Sequence, residues 1–267
     1  MTDSPDDPNS TIDTLEIKQS NAMTGLHWIG LSFSLFGKSP SIWIVMLIIY
    51  FGISYLLTSI PILVLLPTLL APAFNAGFMY GAKQLDSGNM LEIDHLFAGF
   101  KQRLRSLFRL GMLYFMANLI IIAVVSILIE SLADEASIAA MSQATTTLEL
   151  EQILVKHPDL LAALLEALMI GFVLSIPLVM ASWFAPALVM FHKMTPAKAM
   201  LLSIKACNKN MLPFLVYGVL MIPIILLAVL PLGLGLLIII PVIFISQYCS
   251  YKATFNQPQT DQGVFLV

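Results

Sequence analysis

From Ser39 to Ala82 the chain carries no charged side chain, and Lys38 and Lys83 bracket the run. As helix, those 44 residues measure about 66 Å, roughly two crossings of a ~30 Å hydrocarbon core. Both ends are basic, which predicts a hairpin with its ends on one side: a span at about 41–59, a tight turn near Pro61, and a span at about 62–81. Asn210 to Tyr251 repeats the pattern with 42 uncharged residues closed by Lys252, predicting spans at about 212–230 and 232–251. Between the hairpins, Leu110–Ile129 predicts a third span. An apolar run from Leu160, interrupted by Glu166, predicts a fourth at about 167–190, kinked at Pro177 and Pro186. The fold class expected is all-α: a polytopic membrane bundle of about six transmembrane helices, with short cytoplasmic interfacial helices and pseudo-repeated hairpins.

Shorter amphipathic stretches precede the spans. Thr24 to Gly37 predicts a helix capped by Thr24 and stopped at Gly37 and Pro40, with Trp28, Leu31 and Leu35 on one face. Asp94 is placed to cap a helix over 95–107. There Phe97, Phe100, Leu104 and Phe108 form an apolar stripe edged by Lys101, Arg103, Arg105 and Arg109. Thr195-Pro196 is a helix start, after which Lys198, Lys205 and Lys209 project together, opposite Met200, Ile204, Cys207 and Met211. Apolar stripes beside cations suit an anionic membrane surface, so these six cations, Lys101, Arg103, Arg105, Lys198, Lys205 and Lys209, are the candidate lipid contacts.

The two hairpins match in their punctuation. Lys38, Pro61, Pro72 and Lys83 are spaced 23, 11 and 11; Lys209, Pro231, Pro241 and Lys252 are spaced 22, 10 and 11. This suggests an internal repeat offset by about 170 residues, with the middle pair of spans as a diverged copy.

Composition agrees with a membrane location: 58% hydrophobic and 11% charged, against ~45–50% and ~25% in soluble domains. The distribution of charge adds the orientation. Six spans place twelve of the 13 Lys and Arg on one side, leaving Lys156 on the other, so both termini are expected in the cytoplasm. Residues 1–22 hold five acids and one base and read as a disordered cytoplasmic tail. They lack the basic start and apolar core of a secretory signal. Residues 23–252 form one membrane domain and 253–267 a cytoplasmic tail. The acidic stretch 130–160 is an external polar insertion, with a short helix at 147–157.

Candidate chemistry is sparse. The spans carry almost no ionisable side chain, whereas pumps and proton relays place such groups inside the membrane. His27, His95, His157 and His192 lie in separate segments without metal-ligand spacing. Cys207 and Cys249 do not make a CxxC pair. No nucleophile elbow or P-loop occurs, so no catalytic residue, cofactor or metal is expected, and no nucleic-acid partner. Asn75 and Asn118 are read as polar groups inside spans that bond across helices, or else line a substrate path. Ala73, Gly77 and Gly81 place small residues every four positions, a pattern that permits close helix approach.

WFAPALV at 183–189, SIKAC at 203–207, NKNMLPFLVYG at 208–218 and HLFAGF at 95–100 together resemble a family of uncharacterised multi-pass bacterial inner-membrane proteins. The likeness covers about residues 24–252 and implies a helical inner-membrane protein; it brings no site residues. The function expected is non-enzymatic, through helix packing and contacts with lipid or protein. Anionic head groups are the expected partners, and a protein partner or a second copy stays open. A small transporter or lipid-handling protein is the alternative.

Overall fold

The computed structural model describes residues 15–255, and these are helical almost throughout. Ten α-helices follow in order: α1 Thr24–Lys38, α2 Pro40–Thr58, α3 Leu66–Asp86, α4 Ala98–Leu132, α5 Glu135–Gln143, α6 Thr147–Lys156, α7 Pro158–His192, α8 Pro196–Lys209, α9 Met211–Val229 and α10 Leu236–Thr254. Five of them, α2, α4, α7, α9 and α10, are long and apolar enough to cross a membrane. The stretch expected as the second span is α3, which starts later than predicted and runs on to Asp86. It is long enough to cross but not apolar enough to count among the five. Ten of its residues are buried against protein, so its surface is selected for fit to neighbours rather than for transfer into lipid. The most apolar 18 residues of α4, by contrast, are 0% buried, as a lipid-facing surface requires.

Local chemistry sets several boundaries differently from expectation. Thr24 is not the cap of α1: Asn21 Oδ1 accepts from the Thr24 amide at 3.1 Å and from its hydroxyl at 2.9 Å. Lys38 ends that helix, and Pro40 opens α2, where its missing N–H costs nothing. Asp94 is not a cap either. Glu92 and His95 cap each other across a 3-10 turn at Ile93–Phe97, while Asp94 turns to Lys101 Nζ at 2.5 Å. The single helix expected over 95–107 is broken at Arg103 (φ −142°, ψ 26°). Phe97 and Phe100 therefore pack on Phe74, with ring centroids 6.3 and 4.7 Å away, whereas Leu104 is exposed beyond the break. The predicted four-residue stripe is not one face.

Two compact units divide the described residues: 15–111 with 181–255, and 112–180. In the first, α1 packs along α9 and α10, and α3 packs on α10, on α2 and on the turn at 93–97. Trp28 and Trp43 are fully buried. Trp28 meets Phe214 and Tyr217 at 5.1 and 6.4 Å; Trp43 lies over Phe78, which stacks on Phe244 at 4.4 Å. Backbones approach closely where glycine allows it. A Cβ on Gly77 would collide with the Leu96 carbonyl, and one on Gly99 with the Ala73 carbonyl. The small residues of α3 thus serve close contact within this chain, with the segment around 91–99.

In the second unit the expected helix at 147–157 is present as α6, with Thr146 and Glu149 forming its capping box. Helix α5 lies in the stretch expected only as polar insertion. Asp134 starts it, accepting from the Ser137 amide at 2.7 Å and its hydroxyl at 2.6 Å. Ser137 Oγ also lies 2.9 Å from His157 Nδ1, which ties the start of α5 to the joint between α6 and α7. The Ser137 bonds hold the Asp134 carboxyl below its ordinary value, and bonds from Thr145 do the same for Glu149. A depressed carboxyl pKa adds stability above the unfolded value, which is lost as pH falls through the folded one. On acidification below the usual carboxylate range, rate-corrected hydrogen exchange should accelerate at the Ser137 and Glu149 amides before it does in α7. Unchanged protection there would remove these caps from the account.

Candidate functional site

The end of the first unit where α3 and α10 finish gathers segments that are distant in sequence. Ile17 pairs with Phe255 in an antiparallel bridge, and the Lys18 amide donates to the Thr254 carbonyl at 2.8 Å. Lys209 Nζ donates to the Ile17 carbonyl at 2.6 Å. Asn210, buried, accepts from the Ser20 amide at 2.8 Å and donates to the Lys18 carbonyl at 3.0 Å. His192 Nε2 lies 2.5 Å from the Tyr251 hydroxyl, and Lys83 Nζ sits 4.7 Å from the centre of the Phe191 ring. Residues 15–22, assigned from composition to a disordered tail, are instead held between the ends of α8 and α10. Residues 1–14 and 256–267, the rest of the two predicted tails, lie outside the described residues.

Beside this junction α1, α3 and α10 line a half-open cavity of about 360 Å³. Helix α1 contributes His27, Ser34 and Lys38; α3 contributes Asp86; α10 contributes Tyr248 and Lys252. With Leu31, which also lines it, the α1 residues follow an i, i+4, i+7, i+11 spacing, one stripe of the helix. Asp86 Oδ2 accepts from Tyr248 Oη at 2.7 Å and from Lys252 Nζ at 2.6 Å. The one carboxylate is therefore already matched by a cation. Lys38 is exposed and forms no ion pair among the described residues, so the lining carries a surplus of positive charge. Trp28 and Leu35 give the same cavity an apolar wall.

The residues singled out from sequence fall in several places. Lys198, Lys205 and Lys209 are exposed on α8, and Ala199, Ser203, Ala206 and Cys207 form its buried face. Met200, Ile204 and Met211 are not fully buried, and Met211 is well exposed, so the packed face is rotated toward the smaller side chains. Burial pushes the Cys207 thiol up to about 12. Lys101 is paired with Asp94, Arg103 sits half-buried at the helix break, and Arg105 is exposed. Gly81, like Gly77, faces close neighbours: a Cβ there would lie 2.8 Å from Leu91 Cδ1.

The two asparagines do not bridge helices. Asn118 is exposed and donates to the Tyr114 carbonyl of its own helix at 2.9 Å. Asn75 keeps its Oδ1 buried with no hydrogen-bond partner among the described residues. Beside the Asp86 and His192 bonds already described, hydroxyls and an indole make further polar ties between helices. Ser246 donates to Ser32 at 2.9 Å, Trp183 Nε1 donates to Ser250 at 2.9 Å, and Ser203 accepts from the Phe184 amide at 3.0 Å. Sequence reasoning passed over these serines because a lone hydroxyl in an apolar helix can satisfy itself on its own backbone, as Ser32 also does on Trp28.

Among the described residues no cluster of His, Cys, Asp and Glu is placed to hold a metal ion. Over 209 residues the chain is 27% identical to a protein of Burkholderia thailandensis named a probable inner membrane protein, covering 76% of this chain and 74% of that one. Helices and relative agree. This is a bacterial multi-pass membrane protein. No family model matches it, and no solved structure does.

Proposed function

We propose that the protein is a six-crossing, non-enzymatic component of the bacterial inner membrane with both termini in the cytoplasm, acting through helix packing and through contacts with anionic lipid on its cytoplasmic face. The observation that carries this reading is the gathering of Ile17, Asp86, Lys209 and Lys252 at one end of one unit. Helix α3 ends at that junction and packs on α2 and α10, which supports counting it as a return limb despite its lower hydropathy. The exposed cations of α8, with Arg105, then face acidic head groups, each attracted by roughly 1 kcal/mol.

Reporter fusions test the crossing number. Fusions after residues 64 and 145 should report the outside, and fusions after residues 88 and 267 the cytoplasm. The same compartment for 64 and 88 would reduce the protein to five crossings and move one terminus outside.

The elements also support the internal repeat. α1–α2–α3 and α8–α9–α10 follow the same order of a short helix and two longer ones, with Pro61 and Pro231 in the joints and Pro72 and Pro241 inside the last helix. A small transporter or lipid-handling protein is the second reading, favoured by the unpartnered Asn75 carbonyl inside the first unit.

A further inference from the structure

We propose that the cavity between α1, α3 and α10 binds a phosphate-bearing head group, with Lys38 as its principal cation. The inference deepens the lipid-contact reading above and rests on it, but names a built site rather than a charged surface. Three observations converge. The cavity, about 360 Å³, is large enough for a phosphate with a small polar substituent. Its charge is asymmetric: Lys252 and Tyr248 already satisfy Asp86, so Lys38 is left to pair with an incoming anion, and Ser34 and His27 add hydrogen-bonding groups on the same stripe. Its apolar side is formed by the exposed Leu31, with the buried Leu35 and Trp28 behind it. A compact ammonium beside hydroxyl and imidazole groups is a point-charge phosphate site, whose recognition does not depend on bidentate geometry.

Asp86 distinguishes this ligand class from a cationic one. If the cavity took an amine, Asp86 would be its anchor and its removal would abolish binding. For a phosphate, Asp86 is a competitor for Lys252, and its removal frees a second ammonium.

The test uses the purified full-length protein in neutral detergent, titrated with phosphatidylglycerol, phosphatidylcholine and inorganic phosphate as separate probes and read by native mass spectrometry. One saturable phosphatidylglycerol adduct is expected, with phosphatidylcholine weaker. Lys38→Gln should weaken it by about tenfold, as the loss of one charge-assisted hydrogen bond implies. Asp86→Asn should leave it as tight or tighter. Lys198→Gln with Lys205→Gln, on exposed α8, should change it by less than about twofold, since such cations act through a screened surface field. Inorganic phosphate displacing the lipid at matching concentrations would assign the site to soluble phosphate with the same chemistry. Full binding by Lys38→Gln, loss of binding in Asp86→Asn, or equal affinity for phosphatidylcholine would overturn the proposal. Loss confined to the α8 pair would also overturn it while leaving the surface-attraction reading standing. Matching melting temperatures for Lys38→Gln and the parent establish that a lost adduct is not lost folding.

Discussion

Gly77→Ala will lower the melting temperature of the detergent-solubilised protein more than the same change at Gly30 or Gly52. A Cβ at Gly77 meets the Leu96 carbonyl oxygen, with the His95 oxygen 3.0 Å away. These are backbone atoms, so no side chain can swing aside; α3 or the 93–97 turn must move. Overpacking of that kind costs about 1–3 kcal/mol, and a backbone obstacle argues for the upper part of the range. Gly30 and Gly52 have no atom within 4 Å of an added Cβ, so alanine there should be neutral, or stabilising by up to about 1 kcal/mol through helix propensity. Gly99→Ala probes the same interface from the other side, against the Ala73 carbonyl, and should behave like Gly77→Ala. Equal melting of all four variants would mean that α3 and this segment do not approach as described.

That interface also marks how far the sequence could be read. The every-four spacing of Ala73, Gly77 and Gly81 announced close packing, because only small side chains let backbones meet; it could not name the neighbour. Charge-free runs placed α2, α9 and α10 closely, since every lipid-facing residue is selected for transfer into hydrocarbon. The same logic placed α3 a few residues too early, because much of its surface faces protein, and it put Asn118 between helices although that residue sits exposed in its apolar run. Helix α5 went unseen although its cap, Asp134 to Ser137, is local; only the contact of Ser137 with His157 comes from 20 residues away. The break at Arg103 has no glycine or proline to announce it. The cavity was the least legible feature. Lys38 and Lys252 were visible as the brackets of two charge-free runs, but nothing local places them around one space. Their meeting depends on α1 lying along α10, and the 27,31,34,38 stripe that lines the cavity was overshadowed by the more apolar 28,31,35 stripe beside it.

Trp28 fixes α1 in that position, and its removal should have the largest effect of any single truncation in the first unit. The side chain is fully buried, in contact with the rings of Phe214 and Tyr217; Trp183 packs on the same two rings at 5.4 and 5.6 Å. Trp28→Ala leaves a void that the aromatic cluster cannot fill without dismantling its own contacts, and such losses run to about 3–5 kcal/mol. In a membrane protein the water-transfer part of that figure shrinks for lipid-facing positions, but Trp28 faces protein, so the lost packing is felt in full. Its Nε1 has no hydrogen-bond partner among the described residues, so Trp28→Phe removes volume without orphaning an acceptor and should cost clearly less. Thermal melting should rank parent, Trp28→Phe and Trp28→Ala in that order. Limited trypsin digestion should expose cleavage at Lys38, the last residue of α1, in the alanine variant first. An alanine variant that melts with the parent and resists cleavage there would show that α1 is held by its Ser32–Ser246 bond to α10 and by the close approach of Gly25 to the Pro213 carbonyl of α9, with the tryptophan only filling space between them.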